Sequence, residues 1–268
     1  RDSLNLGVQV YLNSSITEVD TTSKIISFVK DNKDEKLHYD HLIFATDPVT
    51  PSKLIKGFKQ DIELDEIGTS GKVTAFFRNP VKWKESNEYS DSFRFIFSNN
   101  NLNKFEEASQ NALKNSGDYF AGFIQVYPDG SAQRTMNNKE SYDKLILFTK
   151  NLSYDKKADD LDKVKDEIIK SVLPYIENAD DLVFSKFLTP KDLNETFFFP
   201  KGNIDHITLS GKQNYNKRTL SSNPSNFYSY YNYQDIYYCG AGSFPCGSVA
   251  GTAGYMCSKQ LIRNDKKG

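Results

Sequence analysis

Short apolar runs separated by charged turns dominate the first part of the chain. Residues 8–20, 24–31 and 36–47 are rich in β-branched or aromatic side chains and are bounded by Asp, Asn or Lys. This pattern predicts three strands. Within the last run, residues 42–45 are continuously apolar, as expected of a strand that is buried on both faces.

The middle of the chain alternates between strand and helix patterns. Apolar runs predict strands within residues 72–77, 93–97, 119–130 and 143–154, and a helix within 99–114 with Leu102, Phe105, Ala108 and Leu113 on one face. Residues 160–175 are the clearest amphipathic helix, with an apolar stripe formed by Leu161, Val164, Ile168, Val172 and Leu173. Thr189 followed by Pro190 predicts the start of a short helix.

The C-terminal region combines a short apolar strand with a glycine-rich bend and a helix. A strand pattern at residues 235–239 runs into Gly240 and Gly242, and residues 248–262 read as the following helix. Of the 15 glycines in the chain, this stretch also holds Gly247, Gly251 and Gly254. Glycine is favoured where the backbone approaches another group closely or takes a positive φ. A helix N-terminus also offers unpaired N–H groups and a positive dipole end, so an anion or a flat ring edge is the expected neighbour.

Composition excludes several classes of partner. The formal charge is -1, from 34 Lys and Arg against 35 Asp and Glu, which leaves no overall field that would attract nucleic acid. The mean hydropathy is -0.61, and no apolar run reaches the length of about 20 residues that a transmembrane helix needs. Cys239, Cys246 and Cys257 lack the spacing of a zinc site or a disulfide framework, so reduced packing thiols are expected, and no metal site is predicted.

The bend by itself does not carry a dinucleotide-binding fingerprint, because Pro245 stands where the third glycine of G-x-G-x-x-G would follow Gly240 and Gly242. Taken together, however, "TPKDLNETFFFPKGNIDH" and "IYYCGAGSFPCGSVAGTAGYMCSKQLI" resemble the C-terminal signature of the phytoene desaturase-like FAD-dependent oxidoreductases. The resemblance is greatest to the branch named pyridine nucleotide-disulfide oxidoreductase domain-containing protein 2. The stretches "GVQVYLNSSITEV" and "DHLIFATDP" resemble the middle of that family.

The resemblance implies an α/β protein, with α+β character in its substrate domain. We expect an incomplete FAD/NAD(P)-binding domain of the glutathione-reductase-like type, together with a mixed β-sheet substrate domain that carries helices. Residues 1–50 and the strand and helix of 235–268 would belong to the FAD-binding domain, and residues 51–234 would form the substrate-binding domain. The chain would then be the C-terminal part of a longer oxidoreductase, whose upstream residues supply the phosphate-binding strand, glycines and helix.

Cofactor-binding residues follow from the same resemblance. Main chain at the bend and at the start of the last helix would lie near the isoalloxazine ring, and Ile16 would meet adenine, with Ala45 and Thr46 close by. The bend residues implied in this way are Gly240, Ala241, Gly242, Gly247, Ser248, Val249 and Ala250. Phe244 stands where relatives commonly have His, and Cys246 and Ser248 replace glycines of the family's triple-glycine run.

Two functional hypotheses therefore remain open. In the first, the full-length protein binds FAD and abstracts hydride from a small apolar or amphipathic substrate, while this fragment alone is inactive and binds FAD weakly or not at all. No catalytic acid or base can be assigned from the sequence. In the second, the chain is a non-catalytic binding or assembly module that retains the flavoprotein fold. Homo-oligomerisation is left open, and an intracellular, mitochondrial location follows from the resemblance only.

An aromatic group in the C-terminal third has two interpretations. Phe197 and Phe199, with tyrosines of the segment 215–233, either line an apolar channel for a substrate or form a core and its rim. Composition alone does not distinguish the two.

Overall fold

The computed structural model describes residues 2–59, 67–85, 92–97, 101–119, 121–128, 142–155, 158–206, 219–245 and 251–266. Two compact units divide the chain. Unit 1 contains residues 1–64 and 205–268, and unit 2 contains residues 65–204. The sequence-based boundaries at residues 50 and 235 remain predictions.

Unit 1 begins with the short helix α1 (Asp2–Asn5), followed by the strands β1 (Ser14–Asp20), β2 (Ile25–Lys30) and β3 (Lys33–His38). These three strands form an antiparallel sheet in the order β1-β2-β3. Strand β4 (Leu42–Phe44) and helix α2 (Thr50–Leu54) come next. The sequence patterns predicted three strands in this region, and the structure has four, because the charged run that forms β3 pairs along its whole length with β2.

The C-terminal elements of unit 1 are β10 (Ile236–Tyr238) and the last helix, which we call α6 (Thr252–Asp265). Strand β10 pairs with β4 in parallel. Alternate residues of a strand point to opposite faces, so Ile236 and Tyr238 enter one apolar core and Tyr237 enters another. The first core joins the parallel pair to the antiparallel sheet and includes Val19, Ile26, Phe28, Leu42, Phe44, Ile55 and Tyr230.

The expectation that the last N-terminal strand is buried on both faces is met only in part. Leu42 and Phe44 are buried, whereas Ile43 between them is 43% exposed. Leu42 and Phe44 belong to the core shared with β10 and the antiparallel sheet. Because side chains alternate along a strand, Ile43 points to the opposite face of β4, away from this core.

The described strands of unit 2 are β5 (Gly71–Phe77), β6 (Arg94–Phe97), β7 (Phe123–Pro128), β8 (Asp143–Thr149) and β9 (Leu182–Leu188). They form an antiparallel sheet in the order β6-β7-β8-β5-β9. The helices of this unit are α3 (Leu102–Leu113), α4 (Ala158–Val172) and α5 (Pro190–Phe197). The sequence patterns did not identify β9.

The core of unit 2 lies between one face of this sheet and α4. Strand β5 alternates strictly between buried and partly buried residues, and so does β8. Their buried side chains pack with Val164, Ile168 and Val172 of α4, which confirms these three residues of the predicted stripe. The face predicted for α3 is partly wrong, because Leu102 is 81% exposed and the buried residues are Ala108 and Ala112.

The predicted start of α5 is confirmed. The Thr189 hydroxyl accepts a hydrogen bond from the Asp192 amide at 3.2 Å, and the Asp192 carboxylate accepts one from the Thr189 amide at 2.8 Å. This reciprocal arrangement is a capping box. Taken over both units, the predicted mixture of helices and sheets is confirmed.

Candidate functional site

The candidate site is the edge of unit 1 at which β4 and β10 both end. Leu42, Ile43 and Phe44 stand opposite Ile236, Tyr237 and Tyr238 in parallel register. The Cys239 amide extends the pairing by donating a hydrogen bond of 2.9 Å to the Phe44 carbonyl oxygen. Because the strands are parallel, their carboxyl ends meet, and residues 45–46 lie beside residues 239–240.

Gly240 explains why the bend begins with glycine. A Cβ atom added to Gly240 would overlap the carbonyl oxygen of Thr46 and would lie 2.9 Å from Cε2 of Tyr238. Gly240 is buried. The close neighbour of this glycine is therefore the main chain that follows β4.

The bend after Gly240 is held by hydrogen bonds within the protein. The Ser243 amide and hydroxyl donate to the Gly240 carbonyl oxygen at 3.0 and 2.8 Å, and the buried Gly242 amide donates to the Tyr238 hydroxyl at 3.1 Å. The Phe244 ring packs edge-on against Phe227, with centroids 5.9 Å apart. The amides of Gly242 and Ser243 therefore already donate hydrogen bonds to acceptors within the protein.

The chain that follows β4 is equally well fixed. Asp47 is buried, and its carboxylate accepts hydrogen bonds from the amides of Val49 and Thr50 at 2.8 and 3.0 Å and from the Thr50 hydroxyl. The Tyr230 hydroxyl donates to the Pro48 carbonyl oxygen at 3.1 Å. Tyr230 is completely buried, and this burial raises its pKa, so the hydroxyl remains a neutral donor.

On the far side of the bend, helix α6 begins later than the sequence predicted. Its first residue is Thr252, and Gly251 precedes it with a φ of 72°. This left-handed conformation is one that glycine adopts without steric cost. Among the described residues, no atom lies within 4 Å of a Cβ added at Gly251 or at Gly254, so each of these two positions could hold a Cβ atom without a clash with them.

The structure brings together only part of the predicted cofactor set. Ala45 and Thr46 are exposed at the edge, Ala241 is partly exposed, and Gly240 and Gly242 are buried beside them. Ile16 lies on β1, opposite Phe28 in a different sheet, and is 39% exposed. Gly247, Ser248, Val249 and Ala250, together with Cys246, lie outside the described residues.

Several residues that shape the edge were not found from the sequence. The side chains of Asp47, Tyr230 and Tyr238 form hydrogen bonds with main-chain groups at this edge. Cys239 is a further residue of the edge and directly follows β10. Asp47 before Pro48 is a common turn sequence and could have suggested the first of these roles. No local pattern indicates the tyrosines, because their partners are distant in sequence.

Tyr228 and Tyr230, two of the tyrosines in the segment 215–233, are core residues. Tyr230 packs in the core around β4 and β10, and Tyr228 packs in the core beneath α6. The Tyr228 hydroxyl donates to the Phe244 carbonyl oxygen at 3.0 Å, and burial raises its pKa to about 12. Tyr215 lies outside the described residues.

The described residues contain no candidate metal centre and no membrane-spanning helix. Across those ranges, His, Cys, Asp and Glu form no group of three or more that could hold a metal ion. Nor does any helix in them have the length and apolar character required to cross a bilayer.

No family model matches the chain. A structural search found similarity over 93% of the chain to the crystal structure of the PF1083 protein from Pyrococcus furiosus, with 12% sequence identity and a TM-score of 0.49. The chain spans 46% of the length of that protein.

Proposed function

We propose that this chain is the C-terminal part of an FAD-dependent oxidoreductase of the phytoene dehydrogenase-like type, which abstracts hydride from an apolar or amphipathic substrate. The observation that carries the proposal is the parallel pairing of β4 and β10, with Ala45, Thr46 and Ala241 accessible at the shared carboxyl edge. Ligands of open parallel sheets bind outside the carboxyl ends of the strands.

The residues at this edge fit a flat ligand. Ala45, Thr46 and Ala241 have short side chains and are exposed or partly exposed. No atom of the described residues lies within 4 Å of a Cβ added at Gly251 or Gly254. Since the amides of Gly242 and Ser243 already have protein acceptors, further donors to a ligand would come from the segment that leads into α6.

In this proposal the protein binds and orients FAD and the substrate, and FAD, when bound, accepts the hydride. Ala45, Thr46 and Ala241 would hold the ring by main-chain contact. The N-terminus of α6 would add a positive electrostatic potential, because aligned peptide dipoles leave partial positive charge at that end of a helix. No side chain of the described residues is assigned as a catalytic acid or base.

The surface of unit 2 supports an apolar substrate. Strand β6 and the residue before it expose Phe93, Phe95 and Phe97, which are 44%, 49% and 67% accessible. The Phe93 ring lies 4.6 Å from Phe95 and 4.7 Å from Tyr127 between centroids. A continuous aromatic surface of this kind is typical of ligand-binding or interaction sites.

The experiment that tests the proposal is flavin analysis of the protein expressed from its complete gene. We expect a yellow protein whose flavin is released on denaturation, and we expect this chain alone to show no tight FAD binding by calorimetry. In the full-length protein, Ala45→Trp and Ala241→Trp should each weaken FAD binding by about tenfold or more, which corresponds to about 1.4 kcal/mol.

Leu37→Trp is the matched control, because Leu37 is an exposed strand residue of the same unit on β3. It should leave FAD binding unchanged. Colourless full-length protein that stays colourless with added FAD would overturn the proposal. So would unchanged FAD affinity in both edge variants.

A second function, that of a non-catalytic assembly module, is favoured by a different observation. Several residues near the start of unit 1 are apolar and exposed, and exposed apolar side chains suit contact with another protein surface. They are Leu4, Leu6, Val8, Val10 and Leu12. Under this alternative, full-length protein would lack flavin and would form a stable complex through residues 4–12.

Homo-oligomerisation and the mitochondrial location are likewise hypotheses, the latter from the resemblance alone.

A further inference from the structure

Two cysteines face each other beneath the glycine bend. Cys239 directly follows β10, and Cys257 lies in the second turn of α6. Both are free thiols, and Cys239 packs against the small buried cluster that contains Cys257. Phe227, Tyr228, Tyr237 and Leu261 also belong to this cluster or pack against it.

The packing of α6 on β10 creates this pair. Tyr237 and Cys239 share one face of the strand, because side chains alternate along it. Cys257, Gln260 and Leu261 share one face of the helix, because residues three and four apart are neighbours there. The Gln260 side chain accepts a hydrogen bond of 2.9 Å from the Tyr228 amide, which helps to hold α6 in place over the strand.

The two thiols have different environments. Cys257 is 1% exposed, whereas Cys239 is only partly buried. The hydrogen bond from Cys257 lowers the pKa of Cys239 to about 7, and the same bond together with burial raises the pKa of Cys257. Since the thiolate is the reactive form of cysteine, Cys239 is the nucleophile of the pair and Cys257 is the thiol that can resolve its product.

We propose that Cys239 and Cys257 form a thiol–disulfide exchange site for small-molecule disulfides of the glutathione type. The Cys239 thiolate attacks one sulfur of the small disulfide, a mixed disulfide forms, and one small thiolate leaves. The Cys257 sulfur then attacks Cys239 Sγ and displaces the second small thiolate, which takes up the Cys257 proton as it leaves. The two protein thiols are oxidised to one disulfide, and one small disulfide is reduced to two thiols.

The product would connect the end of β10 to α6 across the whole bend of residues 240–251. It requires the two sulfur atoms to move from hydrogen-bond contact to a bond of about 2.05 Å. This inference does not depend on flavin binding, because it uses only the two thiols and their packing between the end of β10 and α6.

Incubation with glutathione redox buffers tests the proposal. The reduced chain is equilibrated at increasing ratios of glutathione disulfide to glutathione, free thiols are trapped with N-ethylmaleimide, and peptides are identified by mass spectrometry. We expect Cys239 and Cys257 to lose alkylation together and to appear as one cross-linked peptide pair. Added dithiothreitol should reverse the change.

The third cysteine provides the controls. Cys246→Ser should leave the cross-link intact. Cys246→Ser combined with Cys257→Ser should hold glutathione on Cys239 as a stable adduct, because the resolving thiol is missing. In urea, Cys239 should no longer cross-link preferentially to Cys257, because unfolding separates the two thiols.

Two results would overturn the proposal. One is full alkylation of Cys239 and Cys257 in Cys246→Ser protein at a large excess of glutathione disulfide. The other is a dominant cross-link from Cys246 to either cysteine in the folded wild-type chain.

Discussion

Gly240 packs so closely against Thr46 that an added Cβ atom would overlap the Thr46 carbonyl oxygen. The contact joins the two chain segments that leave the parallel pair of β4 and β10. It ties the first N-terminal strands to the last strand of the chain, and it fixes the edge at which we propose that a flavin binds.

Gly240→Ala is expected to destabilise unit 1 by about 2 kcal/mol, because overpacking at a filled position forces the backbone to shift. Trp83 is the single tryptophan and is buried in the core of unit 2, so its fluorescence does not report on this unit. Hydrogen exchange of residues 42–44 and 236–238 is the suitable measurement and should become faster. Unchanged protection of both strands would show that the contact is unimportant.

Gly251 and Gly254 form a matched pair of substitutions at the start of α6. Gly251→Ala should destabilise the helix by about 1 kcal/mol, because its φ of 72° is unfavourable for alanine. Gly254→Ala should stabilise it by up to about 1 kcal/mol, because Gly254 lies inside the helix and an added Cβ atom there meets no described atom within 4 Å. Hydrogen exchange of the α6 amides measures both effects, and changes of the same sign would contradict this account.

Thr189→Ala is expected to destabilise unit 2 by about 1 kcal/mol, since it removes the hydroxyl that caps α5. Thr189→Ser retains the hydroxyl and should stay within a few tenths of a kcal/mol of the wild type. Urea unfolding followed by Trp83 fluorescence reports on this unit directly. Equal midpoints for the alanine and serine variants would refute the capping role.

The reactivity of Cys239 should depend on pH with a midpoint near 7, because the hydrogen bond from Cys257 lowers its pKa to about 7. Alkylation by iodoacetamide in Cys246→Ser protein should therefore rise as the pH increases through this value. Cys257→Ala removes the donor, so the midpoint should move upward towards the usual cysteine range of about 8.5. A midpoint that does not change in Cys257→Ala would contradict the proposed hydrogen bond.

Local sequence patterns predicted an element best where a single apolar face or a single capping residue is enough to specify it. The stripe of α4 and the Thr189 cap of α5 were both predicted, because each depends on residues within a few positions of one another. Strand β9 was missed, although Leu182–Leu188 pairs with β5. Its burial pattern does not alternate cleanly, and its strand state depends on a partner far away in the sequence.

The structure of the candidate site depends even more on contacts between residues that are far apart in the sequence. Glycines at the bend indicated a close approach, but the sequence suggested a ligand, whereas the structure places the Thr46 main chain beside Gly240. Cys239 and Cys257 showed no motif spacing in the sequence. They meet because β10 and α6 fold back on each other.

The sequence by itself determined most of the helices, many of the strands, the weak net charge and the glycine-rich bend, because these follow from composition and from short-range periodicity. Only the tertiary structure decided that β4 and β10 pair in parallel and that the bend amides bond to Tyr238 and Gly240. The same packing brought two isolated thiols into contact. Each of these contacts joins residues whose local patterns carry no information about one another.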